Sequence, residues 1–157
     1  MDRNDTKGFN LALEAFFQAH PKSSGAWEAA IIRQAHRLMN SKINDADLQE
    51  VRRLQANPLP GQEARARTLL GQYLLELKHP REVVQLVDPV IVNEPTMINH
   101  FQLGMALAAL REKDEALAVL RDGLDADPGD LPESQSALLR TRMEAMIQDL
   151  EPAAPRT

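Results

Sequence analysis

Hydrophobic residues recur along the chain with the three- and four-residue spacing of amphipathic helices, and the alternating runs of strands are nearly absent. Proline, glycine, aspartate and asparagine separate these stretches by short connections. The pattern predicts an all-α protein in which sequential helices are antiparallel neighbours. The predicted helices cover residues 8–19, 25–39, 45–56, 62–77, 80–93, 97–111, 114–126 and 132–150.

A second pattern is an internal repeat of 33 residues. Three apolar positions of one copy fall on apolar positions of the next, on the stripes by which paired helices pack. Five further positions are identical in both copies. The identical pairs are Leu70 and Leu103, Gly71 and Gly104, Leu77 and Leu110, Glu82 and Glu115, and Pro95 and Pro128; the apolar pairs are Leu74 and Leu107, Val83 and Ala116, and Val87 and Leu120.

The residue types at these positions have physical reasons. A glycine inside a helix costs roughly 1 kcal/mol relative to alanine, so Gly71 and Gly104 predict two helix pairs that cross too closely for a Cβ atom. Ala116 allows the second helix to approach in the same way. Pro128 lacks an N–H group and disfavours helical geometry at Asp127, so the last pair is expected to end there.

Together these residues resemble the tetratricopeptide repeat, a helix-turn-helix unit of about 34 residues. The family's early Trp and its Tyr are replaced in both copies, which indicates divergent repeats. The resemblance implies a right-handed superhelical array of antiparallel helix pairs, an α-solenoid. The matching residues are Leu70, Gly71, Leu74, Val83, Val87, Val90 and Pro95 in one copy, and Leu103, Gly104, Leu107, Ala116, Leu120, Gly123 and Pro128 in the next.

A weaker first copy precedes these two. It has a stripe around Trp27 and Ile31 on one helix, and Ala46 is expected to echo Ala116 on the next. Residues 1–157 are accordingly predicted to form a single domain. Its predicted parts are an N-terminal helix at 8–21, a degenerate repeat at 24–58, repeats at 64–96 and 97–129, and a capping helix at 132–150.

Two local features qualify the helix boundaries. Pro89 stands inside a predicted helix, which we expect to kink or break near Asp88. The final helix follows a capping signal in which Asp130 precedes Glu133, with Pro132 in the first turn. A terminal helix of this kind covers the last apolar stripe of a repeat array and offers a polar outer surface.

In tetratricopeptide arrays the first helices form a concave wall that binds an extended peptide or a partner's helix. The positions matching that wall define a predicted partner-binding groove. Its third part is apolar, since the helix from Met97 is apolar nearly all round and leaves Phe101 unassigned to the internal stripe. The predicted groove residues are Ile32, Arg65, Thr68, Gln72, Leu75, Ile98, Phe101, Met105, Ala108 and Ala109.

Something must cover this apolar part, because burying one such side chain is worth roughly 1.5–3 kcal/mol. The occupant is a partner's apolar segment, or the chain's own N-terminal or capping helix, or a second copy. Some family members grip a C-terminal carboxylate with Lys, Asn and Arg. The matching sites here hold Glu28, Ile32, Ile98 and Gln102, so that clamp and a co-chaperone role are not expected.

The resemblance predicts a non-enzymatic scaffold or adaptor that binds another protein, and its more specific version is a small chaperone. The alternative is a structural protein that forms homo-oligomers through the same apolar face. No catalytic residue, cofactor or metal site is predicted, since His20, His36, His79 and His100 lie apart with no carboxylate at metal-ligand spacing. Trp27 is expected to be a core anchor.

Charge and composition limit the classes of partner that the chain is expected to bind. The net charge of −5 argues against nucleic-acid binding. No membrane span is predicted, because the sequence has no run of about 18 apolar residues. The absence of cysteine and of a secretory signal favours a cytoplasmic protein. Residues 112–130 hold seven acidic and two basic residues, and residues 33–67 hold seven basic and four acidic residues. This asymmetry favours a solvated outer face over complementary docking to a partner.

Overall fold

The structure is a computed structural model that describes residues 24–153. Within that range the protein is helical, and its only extended pairing is a single bridge between Thr96 and Asp127. The all-α prediction is therefore confirmed for the described residues, and the predicted helix at 8–21 lies outside them. The helices are α1 (Ser24–Asn40), α2 (Asp45–Ala56), α3 (Glu63–Glu76), α4 (Pro80–Ile91), α5 (Met97–Ala109), α6 (Lys113–Leu124) and α7 (Glu133–Leu150).

The chain divides into two compact units with the boundary inside α3, between Tyr73 and Leu74. In the N-terminal unit (residues 24–73), α1 and α2 form an antiparallel hairpin. The Trp27 indole N–H donates to the Leu54 carbonyl oxygen at 3.2 Å, and Arg37 pairs with Asp47 at 3.0 Å near the other end. The core between them contains Ile31, which is 2% exposed.

The start of α2 is fixed by a capping box, in which Asn44 and Asp47 each accept a hydrogen bond from the other's backbone N–H at 3.1 Å. This register places Ala46 on the exposed side of the first turn. The expected equivalence of Ala46 and the buried Ala116 is therefore wrong. The residues that α2 buries instead include Leu48, Val51 and Leu54.

The C-terminal unit (residues 74–153) contains α4 to α7 and the end of α3. Its core cluster is formed by Met97, Phe101, Leu117, Leu120, Met143 and Ile147. Gly104 confirms the predicted close helix crossing, because a Cβ atom there would lie 2.6 Å from Cγ of the fully buried Leu120. Ala116 is likewise fully buried, so α6 lies directly against α5.

Helix bounds repeat at the interval that the sequence indicates. The end of α3 at Glu76 and the end of α5 at Ala109 are 33 residues apart, and both ends of α4 and α6 are offset by the same 33. The turns repeat too, since Lys78 and Arg111 have positive φ angles of 64° and 66°. Both are stabilised by the same backbone bond, His79 N–H to Leu74 O at 2.7 Å and Glu112 N–H to Leu107 O at 3.0 Å.

Two boundary expectations need correction. Helix α4 continues through Pro89 to Ile91, so the break expected near Asp88 does not occur, although Pro89 cannot donate the backbone hydrogen bond to residue 85. Helix α7 begins at Glu133 with Pro132 as the N-cap residue and no side-chain cap, so Asp130 does not cap it. As predicted, α6 ends before Pro128, and Asp127 has left the helix to bridge Thr96.

Candidate functional site

The helix that was expected to supply the apolar part of the groove, α5, is buried over most of its surface. Nine of its thirteen residues are buried, from Met97 to Leu107. Phe101 is 3% exposed and lies in the core cluster with Met143 and Ile147 of α7. The prediction that Phe101 faces an open groove is therefore wrong, because the capping helix covers it.

The other predicted groove residues of α5 remain partly accessible. Ile98 and Met105 are half-buried and pack against the core cluster, Ala108 is half-buried, and Ala109 is exposed. Since the other three lie seven, three and four positions from Met105, they share one side of the helix. This α5 face, defined by Ile98, Met105, Ala108 and Ala109, is the part of the predicted groove that α5 supplies. Leu75, in the last turn of α3, is half-buried in the same unit.

The N-terminal unit holds the remaining predicted groove residues. Ile32 on α1 is 42% exposed. Thr68 and Gln72 of α3 are half-buried. Arg65 is exposed and forms an ion pair with Glu28 at 2.7 Å, so these two side chains already satisfy one another's charge.

A buried polar network ties α3 to α1 within this unit. The Tyr73 hydroxyl is fully buried, and its single hydrogen faces two acceptors of Gln34, the carbonyl oxygen at 2.8 Å and Oε1 at 2.7 Å. Burial and, secondarily, the Asp47 carboxylate raise the pKa of Tyr73 well above its ordinary value. The phenol therefore stays neutral and acts as a structural hydrogen-bond donor.

Two histidines of the C-terminal unit have local contacts. His79 lies 3.4 Å from Glu82, and the Nδ1 atom of the buried His100 lies 2.8 Å from the Thr96 carbonyl oxygen, which requires that nitrogen to carry a hydrogen. No group of three or more histidine, aspartate or glutamate side chains is placed to hold a metal ion in residues 24–153. Over the same residues, no helix is long and apolar enough to cross a membrane.

The structure contains a cleft that the sequence did not indicate. It has a volume of about 260 Å³ in the C-terminal unit, and α4, α5 and α6 contribute its walls. We call it the acidic cleft, since its lining combines five apolar residues with three carboxylates. The lining residues are Val84, Asp88, Leu103, Leu107, Glu112, Glu115, Ala118 and Val119.

One sign of this cleft is present in the sequence. Glu112 and Glu115 belong to the acidic segment 112–130, and the charge pattern of that segment predicts a solvated outer face. What the sequence could not reveal is that α4 brings Asp88 and Val84 to the same opening. Comparisons of the chain with protein-family models, curated proteins and solved structures find no match to any of them. The site therefore has to be interpreted from its own geometry.

Proposed function

We propose that this chain is a non-enzymatic binding module of tetratricopeptide type, which captures a peptide or an amphipathic helix of another protein. The proposal is carried by the repetition at 33 residues of helix bounds, turn conformation and the backbone bond that closes each turn. Repeats of this length stack so that each covers its neighbour's apolar stripe, and the stacked first helices leave a wall for a ligand. The superhelical stacking of the hairpins is part of the proposal.

The chemistry of the accessible groove residues supports a protein ligand. Ala108 and Ala109 are small, so a partner's backbone can approach α5 closely. Met105 has a flexible side chain that adapts to different apolar shapes. In the N-terminal unit, the exposed Ile32 lies on the same helix as Glu28. The ion pair between Glu28 and Arg65 cancels the charges of these two polar side chains. A segment that is partly apolar fits these faces better than a strongly charged one.

A small chaperone is the more specific version of this proposal. Such a chaperone shields an apolar segment of its client, and the same faces would carry that role. The distinction between a chaperone and an adaptor lies in the client, which is kept unfolded in one case and bound in its working form in the other. Assays of client folding in the presence of the chain separate the two.

The test starts from a random library of displayed peptides, selected on the full chain. Fluorescence anisotropy then compares the selected peptides on the wild type and on Ala109→Arg and Ile32→Arg, which change exposed groove positions. Leu138→Arg is the matched control, because Leu138 is 52% exposed on α7, outside the predicted groove. We expect at least one groove variant to weaken binding about tenfold while the control binds as the wild type does.

Binding that is unchanged in both groove variants would show that the groove is misassigned. Failure of the library to yield any ligand, together with a concentration-dependent mass in light scattering, would favour self-assembly over capture of another protein. Circular dichroism of each variant checks that the helices are retained.

A further inference from the structure

The acidic cleft is apolar within and negatively charged at its margin. Leu103 and Leu107 are 3% and 5% exposed and form its deepest part, and Val84 and Val119 are half-buried. Ala118 is exposed at the mouth, where its small side chain leaves the opening free. The volume of about 260 Å³ exceeds that of several water molecules, at roughly 30 Å³ each. An apolar side chain of a partner therefore fits inside.

The charged margin consists of Asp88, Glu112 and Glu115, all of which are exposed. No basic residue lines the cleft, although Arg111 and Lys113 flank Glu112 in the sequence. Within residues 24–153, none of these three carboxylates forms an ion pair or accepts a hydrogen bond. The arrangement differs from that of the N-terminal unit, whose carboxylates at Glu28, Asp47 and Glu50 all pair with arginines.

The cleft lies on the opposite side of α5 from the groove face. At 100° per residue, Leu103 and Leu107 each point about 200° away from Met105 and Ala109, respectively. A ligand in the cleft would therefore leave the α5 face open. The carboxylates are also not gathered into a metal-binding group, since none is found among the described residues.

We propose that the acidic cleft is a second docking site, which binds a short amphipathic segment of a partner protein. In this segment an apolar side chain lies between lysine or arginine residues. The apolar side chain enters between α4 and α6 and rests on Leu103 and Leu107. The flanking cations lie near Asp88, Glu112 and Glu115. Burial of the apolar side chain supplies affinity, and the opposite charges select basic segments and speed their association. This site is additional to the groove and does not depend on it.

The probe is a fluorescently labelled synthetic helix of leucine and lysine, and a second peptide carries glutamate in place of every lysine. Anisotropy measures both on the full chain. We expect the lysine peptide to bind and the glutamate peptide not to bind. Higher salt should weaken binding of the lysine peptide, because the Debye length falls from about 10 Å at 0.1 M to about 3 Å at 1 M.

Matched variants separate the cleft from the overall negative charge of the chain. The cleft triple is Asp88→Asn, Glu112→Gln and Glu115→Gln. The control triple makes the same three charge changes on exposed residues of α7, at Asp149→Asn, Glu133→Gln and Glu144→Gln. We expect the cleft triple to bind the lysine peptide about tenfold more weakly than the control triple. Ala118→Arg, which places bulk and positive charge at the mouth, should have a comparable effect, and Leu138→Arg, outside both the cleft and the groove, should have none.

Equal binding by the two triples, or no binding of the lysine peptide to the wild type, would overturn the proposal. A photo-crosslinking amino acid in place of Ala118 tests the other occupants, first without and then with the added lysine peptide. Crosslinks to a second copy or to residues 1–23 of the same chain would assign the cleft to the protein itself and also overturn it. Crosslinking only to added peptide supports it.

Discussion

Gly104 of α5 lies so close to Leu120 of α6 that the two helices have no room for even one more carbon atom between them. Leu120 is fully buried and belongs to the core cluster, so its side chain has little freedom to move aside. The contact joins the two helices of the last hairpin and places Phe101 and Leu117 in the same core. It also sets the position of α6 relative to α5, on which the shape of the acidic cleft depends.

This contact predicts that Gly104→Ala destabilises the protein. Alanine favours a helix over glycine by about 1 kcal/mol, but the added Cβ would meet Leu120, and such overpacking typically costs 1–3 kcal/mol. Chemical denaturation followed by circular dichroism measures the free energy of unfolding. Combining Gly104→Ala with Leu120→Ala gives a double-mutant cycle, in which the alanine at 104 should no longer be harmful. A stabilising Gly104→Ala in the wild-type background would contradict the close crossing.

The two repeated turns predict a gain in stability from glycine. Lys78 and Arg111 hold left-handed backbone conformations, which cost an ordinary residue roughly 1 kcal/mol and glycine almost nothing. Lys78→Gly and Arg111→Gly are each expected to raise the free energy of unfolding by up to about 1 kcal/mol. As the control, Lys113→Gly, at the start of α6, should give no gain. A loss of stability in both turn variants would show that the turns have another conformation.

Phe101 offers a test of its corrected position. Because Phe101 is a core residue that is only 3% exposed, Phe101→Ala should lower the free energy of unfolding by about 3–5 kcal/mol. Ile32→Ala, at a residue 42% exposed, should cost considerably less. The free energies of unfolding of the two variants check this order. Similar small losses in both would mean that the capping helix does not cover Phe101.

The buried Tyr73 predicts a pH effect with a definite sign. Its pKa is raised in the folded state, whereas the unfolded chain ionises near the ordinary value of about 10, so unfolding releases a proton at high pH. The contribution of Tyr73 to the free energy of unfolding is therefore complete below pH 10 and is lost as the pH rises above it. The slope approaches about 1.4 kcal/mol per pH unit at most.

Tyr73 is the only tyrosine, so the phenolate absorbance reports its ionisation directly. We expect that absorbance to appear together with unfolding rather than before it. Tyr73→Phe should lose the hydrogen bonds to Gln34, at a cost of about 1 kcal/mol near neutral pH, and should show a shallower decline of stability above pH 10. Ionisation of Tyr73 in the fully folded chain would contradict its burial.

Much of the helical architecture could be predicted from the sequence, because helix spacing and punctuation are local properties. The predicted bounds of α2 agree with the structure at both ends, and those of α5 and α6 differ by at most two residues. The close helix contact at Gly104 could also be predicted, because a glycine inside a helix is unfavourable relative to alanine unless space is needed there. Local patterns were sufficient for the helix bounds because these depend on residues within one or two turns.

The candidate site was harder to predict because it depends on which helix covers which face. An apolar α5 indicated that something must cover Phe101, but spacing alone could not decide between a partner and α7. The acidic cleft needed Asp88 of α4 and Glu115 of α6 at one opening, and these residues are far apart in the sequence. Whether the remaining groove positions bind a partner, and whether the chain is a single domain, stay predictions.

The indole hydrogen bond between Trp27 and Leu54 has a practical consequence for spectroscopy. Trp27 is the only tryptophan and Tyr73 the only tyrosine, and both belong to the N-terminal unit. The tryptophan and tyrosine fluorescence of the chain therefore originates entirely from one half of the molecule, while the ellipticity arises from both. Melting curves recorded with the two signals would coincide only if both halves lose their structure in one cooperative step.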